Sequence, residues 1–343
     1  MTFRGRRAAA IENDRLRVTV LEGGGHIAEI LDKRTGISPL WIPQWASIEP
    51  GDYERARHPE YGEGSDASLL ASIAGHNLCL DIFGGPSDAE AAAGLPAHGE
   101  VSTAVFRLDV SGNRLAMFAA LKESELNVLR ELTLDADTVR VREAVTNLAA
   151  TDRPVGWTEH VTLGPPFLKN GATELTISAD RSIVHPGMFG PADYLAPGRE
   201  FAWPHGPAAT GGTVDMRRYS AASASSGYTA HRMDVAKAHA WFGAFSPEHG
   251  LLLTYSWLRV DFPWLGIWEE NRSRTAQPWG GRALTWGLEF GVSPFPESRQ
   301  AMIERGRVFD TPTFRWIPAR STVSVAYAAT LRPAAAIDAF AGC

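Results

Sequence analysis

Apolar and polar residues alternate with a period of two along most of the chain, and this pattern predicts β-strands. Three stretches join two such runs across a short turn, which is the pattern of a β-hairpin. These predicted hairpins are residues 15–31 around the turn 23–25, residues 104–121 around 111–113, and residues 126–147 around 135–137. Further alternating or β-branched runs predict strands within residues 173–179, 239–245, 250–260, 283–292 and 321–331.

Helical signals are few. Residues 66–75 predict one short turn capped by Asp66, and residues 296–307 predict a short helix with acidic residues early and arginines late. Strands and helices do not alternate, and no repeat of ~20–50 residues is visible, which argues against a parallel βαβ fold and a simple propeller. The sequence therefore predicts an all-β fold with two large antiparallel sheets packed face to face, in a single domain over residues 1–343.

Three long segments lack a clear period: residues 43–65, 83–100 and 186–226. Loops of this length in a compact domain are usually functional or disordered. No break in composition marks a linker, so we interpret all three as loops within the one predicted domain.

The net charge of -6, from 33 Lys and Arg against 39 Asp and Glu, argues against a nucleic-acid partner, which needs a clustered basic surface. No apolar run approaches the ~18 residues of a membrane span. Charges interrupt the basic start of the chain, so no signal peptide is expected. Cys79 and Cys343, the only cysteines, do not make a disulfide framework, and a cytoplasmic protein is expected.

Five of the 11 tryptophans fall within a short region late in the chain: Trp257, Trp264, Trp268, Trp279 and Trp286. Such a cluster is either part of the hydrophobic core or a set of flat platforms that line a ligand pocket. The sequence alone leaves both interpretations open.

His160 lies in a predicted strand whose two faces differ in character. Alternate residues point to opposite faces, so one face carries Val155, Trp157, Glu159, Val161 and Leu163, and the other carries Gly156, Thr158, His160, Thr162 and Gly164. On the second face His160 is the only large group, so it is either a core histidine held by a threonine hydroxyl or a group that meets a ligand. Glu159 on the apolar face is either paired there or displaced by a bulge.

Glu289 stands in a similar setting. Its face carries the small residues Ala283, Thr285, Gly287 and Gly291, and glycine in a strand often marks the close approach of a ligand. A solvent-exposed face is the alternative, although such a face usually carries several charges. A histidine and a carboxylate on one concave face would form a general acid–base pair.

His98 ends a loop before a predicted strand, and His76 is a weaker candidate for the same cavity. A zinc site of His98, His160 and Glu289 is conceivable, but the short-range H-x-x-x-H spacing is lacking. The sequence has no G-x-S-x-G elbow and no Walker phosphate loop, and the GGGHIAE stretch lacks a following helix for dinucleotide binding.

The order of these pieces resembles the aldose 1-epimerase, or galactose mutarotase-like, superfamily, whose fold is a large β-supersandwich. A Gly-rich hairpin is followed by AHGE at residues 97–100, EHVTLG at 159–164, a glutamate in a late strand, a short helix and a final strand pair. The similarity covers most of the chain through short motifs. The arginine that the family carries in its early strands has no clear counterpart, because residues 74–85 read AGHNLCLDIFGG instead.

The resemblance implies a mutarotase, an isomerase that interconverts sugar anomers without a cofactor or a metal ion. His160 is similar in position to the proton donor for the ring oxygen, Glu289 to the base on the anomeric hydroxyl, and His98 to a substrate-binding histidine. The aspartate that grips sugar hydroxyls has three candidate matches: Asp261, Glu269 and Glu270. Trp268 is a candidate platform for the sugar's apolar face, whereas Trp286 is expected in the core.

The expected partner is a small carbohydrate, without nucleic acid or membrane, and whether the chain forms a homodimer is left open. One alternative is a carbohydrate-binding protein without catalysis on the same fold. Another is a glycoside hydrolase or lyase-like enzyme, for which Glu289 would need Glu269 or Glu270 as a second carboxylate.

Overall fold

Two large antiparallel sheets contain most of the strands. The computed structural model describes residues 1–337, so Cys343 lies outside the described part of the chain. The strands are β1 (Thr2–Phe3), β2 (Arg6–Glu12), β3 (Leu16–Leu21), β4 (Ile27–Asp32), β5 (His76–Asp81), β6 (Arg107–Ser111), β7 (Arg114–Leu121), β8 (Leu126–Asp135), β9 (Thr138–Asn147), β10 (Arg153–Leu163), β11 (Glu174–Ile177), β12 (Ala179–Val184), β13 (Glu200–Phe201), β14 (His205–Pro207), β15 (Thr213–Asp215), β16 (Ser225–Met233), β17 (His239–Ser246), β18 (Leu251–Leu258), β19 (Trp264–Asn271), β20 (Leu284–Gly291), β21 (Arg307–Val308), β22 (Thr311–Pro312), β23 (Arg315–Ile317) and β24 (Thr322–Pro333).

The larger sheet has twelve strands, in the order β1-β2-β3-β4-β5-β10-β20-β19-β16-β12-β13, with β23 paired to β10. The smaller sheet has eight, in the order β11-β17-β18-β24-β9-β8-β7-β6, and two small ribbons pair β14 with β15 and β21 with β22. Buried side chains from both sheets form one continuous cluster, so the sheets pack face to face. The predicted all-β sandwich is confirmed.

The three predicted hairpins are present. β3 pairs with β4, β6 with β7, and β8 with β9, each in antiparallel register. Their turns fall at the predicted positions, and the positive φ angles of Gly24, Gly25 and Gly112 show why glycine stands there. The alternation of apolar and polar residues was therefore sufficient to place these elements.

The helices are short: α1 (Ala67–Leu70), α2 (Asp88–Ala92) and α3 (Arg299–Arg305). Asp66 precedes α1 as predicted, but its side chain makes no capping hydrogen bond. Ser298 does cap α3, because its hydroxyl accepts from the amide of Ala301. α2 lies within the predicted loop 83–100 and begins with a Ser87–Glu90 capping box. None of the helices within residues 1–337 is long and apolar enough to cross a membrane.

Several strands of the larger sheet escaped the sequence analysis, notably β5, β16 and β19. Nearly every residue of these strands is buried, on both faces of the sheet. A strand covered on both faces need not alternate between apolar and polar residues, so the period-two signal is lost. The strands that alternate cleanly, such as β8 and β9, belong to the smaller sheet, which exposes one face.

The tryptophan cluster divides between the two roles that the sequence left open. Trp257 and Trp286 lie in the main core between the sheets, which confirms the core position expected for Trp286. Trp268 and Trp279 lie on the other face of the larger sheet, where they line a cleft. Trp264 is buried on that sheet and donates its ring N–H to the Pro312 carbonyl.

Candidate active site

The floor of the cleft is a row of side chains that crosses the larger sheet. Antiparallel register places Asn77 of β5 opposite His160 of β10, His160 opposite Glu289 of β20, and Glu289 opposite Gly266 of β19. Directly opposite residues on neighbouring strands bring their side chains together on the same face. The two faces that the sequence singled out, one around His160 and one around Glu289, are therefore a single surface.

His160 and Glu289 contact each other directly. Nε2 of His160 lies 3.0 Å from Oε1 of Glu289, and the two residues are 5% and 2% exposed. Nδ1 of His160 lies 3.0 Å from the hydroxyl of Thr162. The hydroxyl can donate to Nδ1 of a neutral ring or accept from Nδ1–H of a protonated ring, so Thr162 suits both protonation states.

The glycines around Glu289 leave room for protein groups. A Cβ at Gly287 would collide with the Glu289 carboxylate and crowd the ring of Trp268, and a Cβ at Gly291 would collide with Thr158. These contacts give Gly287 and Gly291 a local reason to be glycine. Gly287 allows the carboxylate to lie flat along the strand towards His160.

His98 lies beside the pair, with its ring centroid 5.0 Å from that of His160. The amide nitrogen of Asn77 lies 3.3 Å from Nδ1 of His98, and with this nitrogen as the donor the ring proton of His98 is on Nε2. Desolvation of the ring, reinforced by the charge of His160, lowers the pKa of His98 well below its usual value. His98 therefore presents a neutral ring with a free N–H donor.

The walls of the cleft come from α1 and from the long loops. The cleft has a free volume of ≈ 110 Å³. It is lined by Asp66, Leu69, Leu70, Ile73, Phe83, His98, His160, Phe189, Trp268, Arg274, Trp279, Glu289 and Pro296. Trp268 meets His160 edge to face at 5.9 Å, and Trp279 meets Trp268 in the same way at 6.0 Å. An apolar, aromatic cleft with a few convergent polar groups is typical of a small-molecule site.

Four of the predicted binding residues do not line this cleft, and two of them, His76 and Asp261, lie well apart from it. His76 points to the core side of the sheet, where Nε2 lies 2.8 Å from Glu159, so its parity on β5 is opposite to that of Asn77. Asp261 follows β18 and lies 3.5 Å from Arg315, in a different surface groove.

Glu269 and Glu270 follow Trp268 on β19, and neither lines the cleft. Glu269 points to the core side, where Tyr194 donates to it over 3.0 Å and Ser225 also donates. Glu270 is on the cleft side but is fully buried beneath Arg274. Neither residue therefore supplies the second carboxylate that a glycoside hydrolase would need beside Glu289. The hypothesis that Glu289 pairs with Glu269 or Glu270 is wrong.

Sequence reasoning missed three polar groups of the cleft: Asn77, Asp66 as a lining residue, and Arg274. Asn77 shares its face with Cys79, and the parity of β5 would have placed it once that strand was assigned. Arg274 lies four residues after Glu270, a spacing that suggests a local ion pair but does not locate it. Its position over the cleft depends on how the loop after β19 folds.

The opposite side of β10 carries a buried polar cluster. Glu159 accepts hydrogen bonds from Tyr327 over 2.8 Å and from Arg130 over 3.1 Å. Arg130 also contacts Glu143 at 2.5 Å. β10 keeps continuous register with both neighbours around Glu159, so this residue is paired in the core and the strand is not bulged there.

No three His, Cys, Asp or Glu side chains among residues 1–337 form a group that could hold a metal ion. His98 and His160 instead direct one ring nitrogen each to Asn77 and Thr162.

Comparison with solved structures gives the class of fold: the chain has the galactose mutarotase-like fold. It is similar to a "putative aldose 1-epimerase" from Klebsiella pneumoniae, with a TM-score of 0.68 and 14% identity over 98% of this chain and 82% of that chain. A second "putative aldose 1-epimerase", from Escherichia coli K12, has a TM-score of 0.62 and 14% identity over 96% of this chain and 100% of that one. A galactose mutarotase-like protein from Lactobacillus casei has a TM-score of 0.59 and 15% identity over 95% and 100%.

No protein-family model and no curated protein matches the sequence significantly. The likeness to solved structures therefore concerns the fold alone.

Proposed function

We propose that the protein interconverts the anomers of a small aldose by acid–base ring opening, with Glu289 and His160 as the catalytic pair. The observation that carries this proposal is the 3.0 Å contact between Nε2 and Oε1 on the floor of an aromatic cleft. In a cyclic aldose, the anomeric hydroxyl and the ring oxygen are bonded to the same carbon. An acid and a base that lie side by side suit these two neighbouring oxygens.

In the proposed reaction, Glu289 removes the proton of the anomeric hydroxyl while protonated His160 donates a proton to the ring oxygen. The bond between the anomeric carbon and the ring oxygen breaks, and its electron pair stays with the ring oxygen. The electron pair of the former O–H bond becomes the second bond of an aldehyde. Rotation about the C1–C2 bond presents the other face of the aldehyde, and the reverse proton transfers close the ring as the other anomer.

The surrounding residues support this chemistry. The hydroxyl of Thr162 accommodates both protonation states of His160, which the cycle requires. The neutral ring of His98 offers its Nε2–H to a substrate oxygen. Each positioned proton transfer contributes ~10²–10⁴-fold, which is a meaningful acceleration of a reaction that already proceeds in water.

Polarimetry of freshly dissolved α-D-glucose and α-D-galactose tests the proposal. We expect the purified protein to raise the first-order rate constant for the change in optical rotation in proportion to its concentration. A protein that binds either sugar but leaves this rate at the value in buffer would be a non-catalytic carbohydrate-binding protein, and the enzymatic proposal would be wrong.

A further inference from the structure

We infer that Arg274, held in place by Glu270, binds the hydroxyl groups of the substrate together with Trp268, and that the substrate is an uncharged aldose. The inference rests on the proposed function and deepens it. It assigns a binding role to a residue from the loop after β19. The early strands supply no arginine to the residues that line the cleft.

Arg274 is held over the cleft by aromatic rings. Its guanidinium carbon lies 5.1 Å from the ring centroid of Trp279, 5.5 Å from that of Trp268 and 5.9 Å from that of Phe189. Such cation–π contacts fix a guanidinium without using its N–H donors. The side chain is 27% exposed, so it remains accessible from the cleft opening.

Glu270 determines where Arg274 lies. Its fully buried carboxylate accepts from the amide and the hydroxyl of Ser273, each over 2.6 Å, and from the amide of Arg274 over 3.1 Å. Nε of Arg274 lies 3.5 Å from the same carboxylate. One buried acid thus fixes both the first turn of the loop and the inner edge of the guanidinium, which makes Glu270 a positioning residue.

Nη2 of Arg274 donates to the Phe189 carbonyl over 3.4 Å, whereas Nη1 and the indole nitrogen of Trp268 are left for a ligand. Nη1 of Arg274 has no hydrogen-bond partner among residues 1–337. Nε1 of Trp268 is buried and likewise has no partner within that range. The indole nitrogen of Trp268 is a buried donor without an acceptor, which is costly. Together with the accessible Nη1 of Arg274 on the same cleft, it points to a ligand with acceptor oxygens.

The net charge of the groups around the cleft favours an uncharged ligand. Three carboxylates, Asp66, Glu289 and Glu270, line the cleft or lie directly beneath its wall. The cations are Arg274 and, when protonated, His160, since the lowered pKa of His98 keeps that ring neutral. The cleft therefore keeps an acidic balance even in its most protonated working state, and hydroxyl oxygens are favoured over phosphate or carboxylate as partners of Arg274.

Steady-state kinetics of Arg274→Ala test the binding role, with Arg272→Ala as the matched control. Arg272 is in the same loop but donates to Asn170 and Asn271, away from the cleft. We expect Arg274→Ala to raise KM for glucose or galactose about tenfold or more, with kcat changed much less, as for a hydrogen bond from a charged group. Arg272→Ala should keep both constants.

Glu270→Gln tests the positioning role. It should raise KM less than Arg274→Ala does, and the double variant should be no worse than Arg274→Ala alone, because both changes remove one interaction. A KM that is unchanged in Arg274→Ala, in a protein whose thermal midpoint is near that of the wild type, would overturn the inference and leave the proposed function standing.

Equilibrium binding, followed by tryptophan fluorescence, separates the inference from the proposed function. If the wild type binds glucose or galactose without accelerating mutarotation, the proposed function is wrong, and the inference still requires weaker binding by Arg274→Ala. Tighter wild-type binding of glucose 6-phosphate or glucuronate than of glucose would overturn the uncharged substrate class. Wild-type protein that binds none of these four sugars would overturn the inference and the proposed function together.

Discussion

Glu159 and His160 are consecutive residues of β10 whose side chains lie on opposite faces of the larger sheet. Glu159 is in the core with Arg130, Tyr327 and His76, while His160 is in the cleft with Glu289. The strand that carries the proposed acid is thus held from behind by a buried polar cluster. Strands whose neighbouring side chains are fixed by packing position functional side chains more precisely than loops do.

Removing either member of the proposed catalytic pair should abolish most of the activity. We expect Glu289→Gln and His160→Ala each to lower kcat by ~10²–10⁴-fold, because each loses one positioned proton transfer. Glu269→Gln is the matched control, since that carboxylate is buried on the other side of the same sheet and should keep near-wild-type kcat. Polarimetry gives the rates, and near-wild-type kcat in either catalytic variant would contradict the assigned roles.

His98 should act without changing its charge. Its pKa is held well below the usual value, so the ring stays neutral between about pH 6 and pH 8. We expect His98→Gln to raise KM, while the pH profile of kcat/KM keeps the shape of the wild-type profile across this range. Loss of a titration step from the profile in this variant would show that His98 ionises during turnover.

Substitutions in the buried cluster behind β10 should lower the free energy of unfolding by unequal amounts. Arg130→Met leaves the buried Glu159 without the cation that contacts it, and we expect a loss of ~3–5 kcal/mol in the free energy of unfolding. Burial, opposed by Arg130 and reinforced by Glu159, raises the pKa of Glu143 to about 8. Glu143→Gln therefore replaces a group that is already largely protonated at neutral pH and should cost much less. Urea denaturation measures both changes, and equal losses would argue against this charge distribution.

Glu269 should make stability depend on pH. Burial raises its pKa to about 7, in spite of hydrogen bonds from Ser225 and Tyr194. The folded protein therefore holds this proton when the unfolded chain has lost it. The contribution of this proton to the free energy of unfolding is fully present below about pH 4.5, declines as the pH rises to about 7 and is constant above that. The total change is on the order of 3 kcal/mol.

Urea unfolding of Glu269→Gln and of the wild type across pH 5 to 8 isolates this contribution. The wild type should lose stability relative to the variant as the pH rises. A difference between the two proteins that does not vary with pH would show that Glu269 is ionised throughout.

The sequence was informative where period two survives, and less so elsewhere. Alternation placed the three early hairpins and separated the two faces of β10 and β20, so His160 and Glu289 could be recognised as isolated polar groups on small-residue faces. It could not give the register between strands that are distant in sequence. Their contact depends on β10 and β20 being neighbours at one particular offset, which tertiary packing decides.

The misassigned residues show the same limit. Parity alone separates Trp268 from Glu269, and Asn77 from His76, because consecutive residues of a strand face opposite sides. Parity can be used only within a recognised strand, and both β5 and β19 lack alternation because they are covered on both faces. Arg274 depends on the path of a loop around Glu270, which local sequence patterns do not define.

The groups of the cleft divide by the kind of element that carries them. His160 and Glu289 lie on central strands, whereas Phe189, Arg274 and Trp279 lie on loops. Loops accept insertions and substitutions far more readily than buried strands do. If the proposed function holds, descendants of this chain can therefore acquire a different sugar preference by remodelling the loop between β19 and β20 while the proposed pair of His160 and Glu289 stays in place, and an engineer can screen that loop alone.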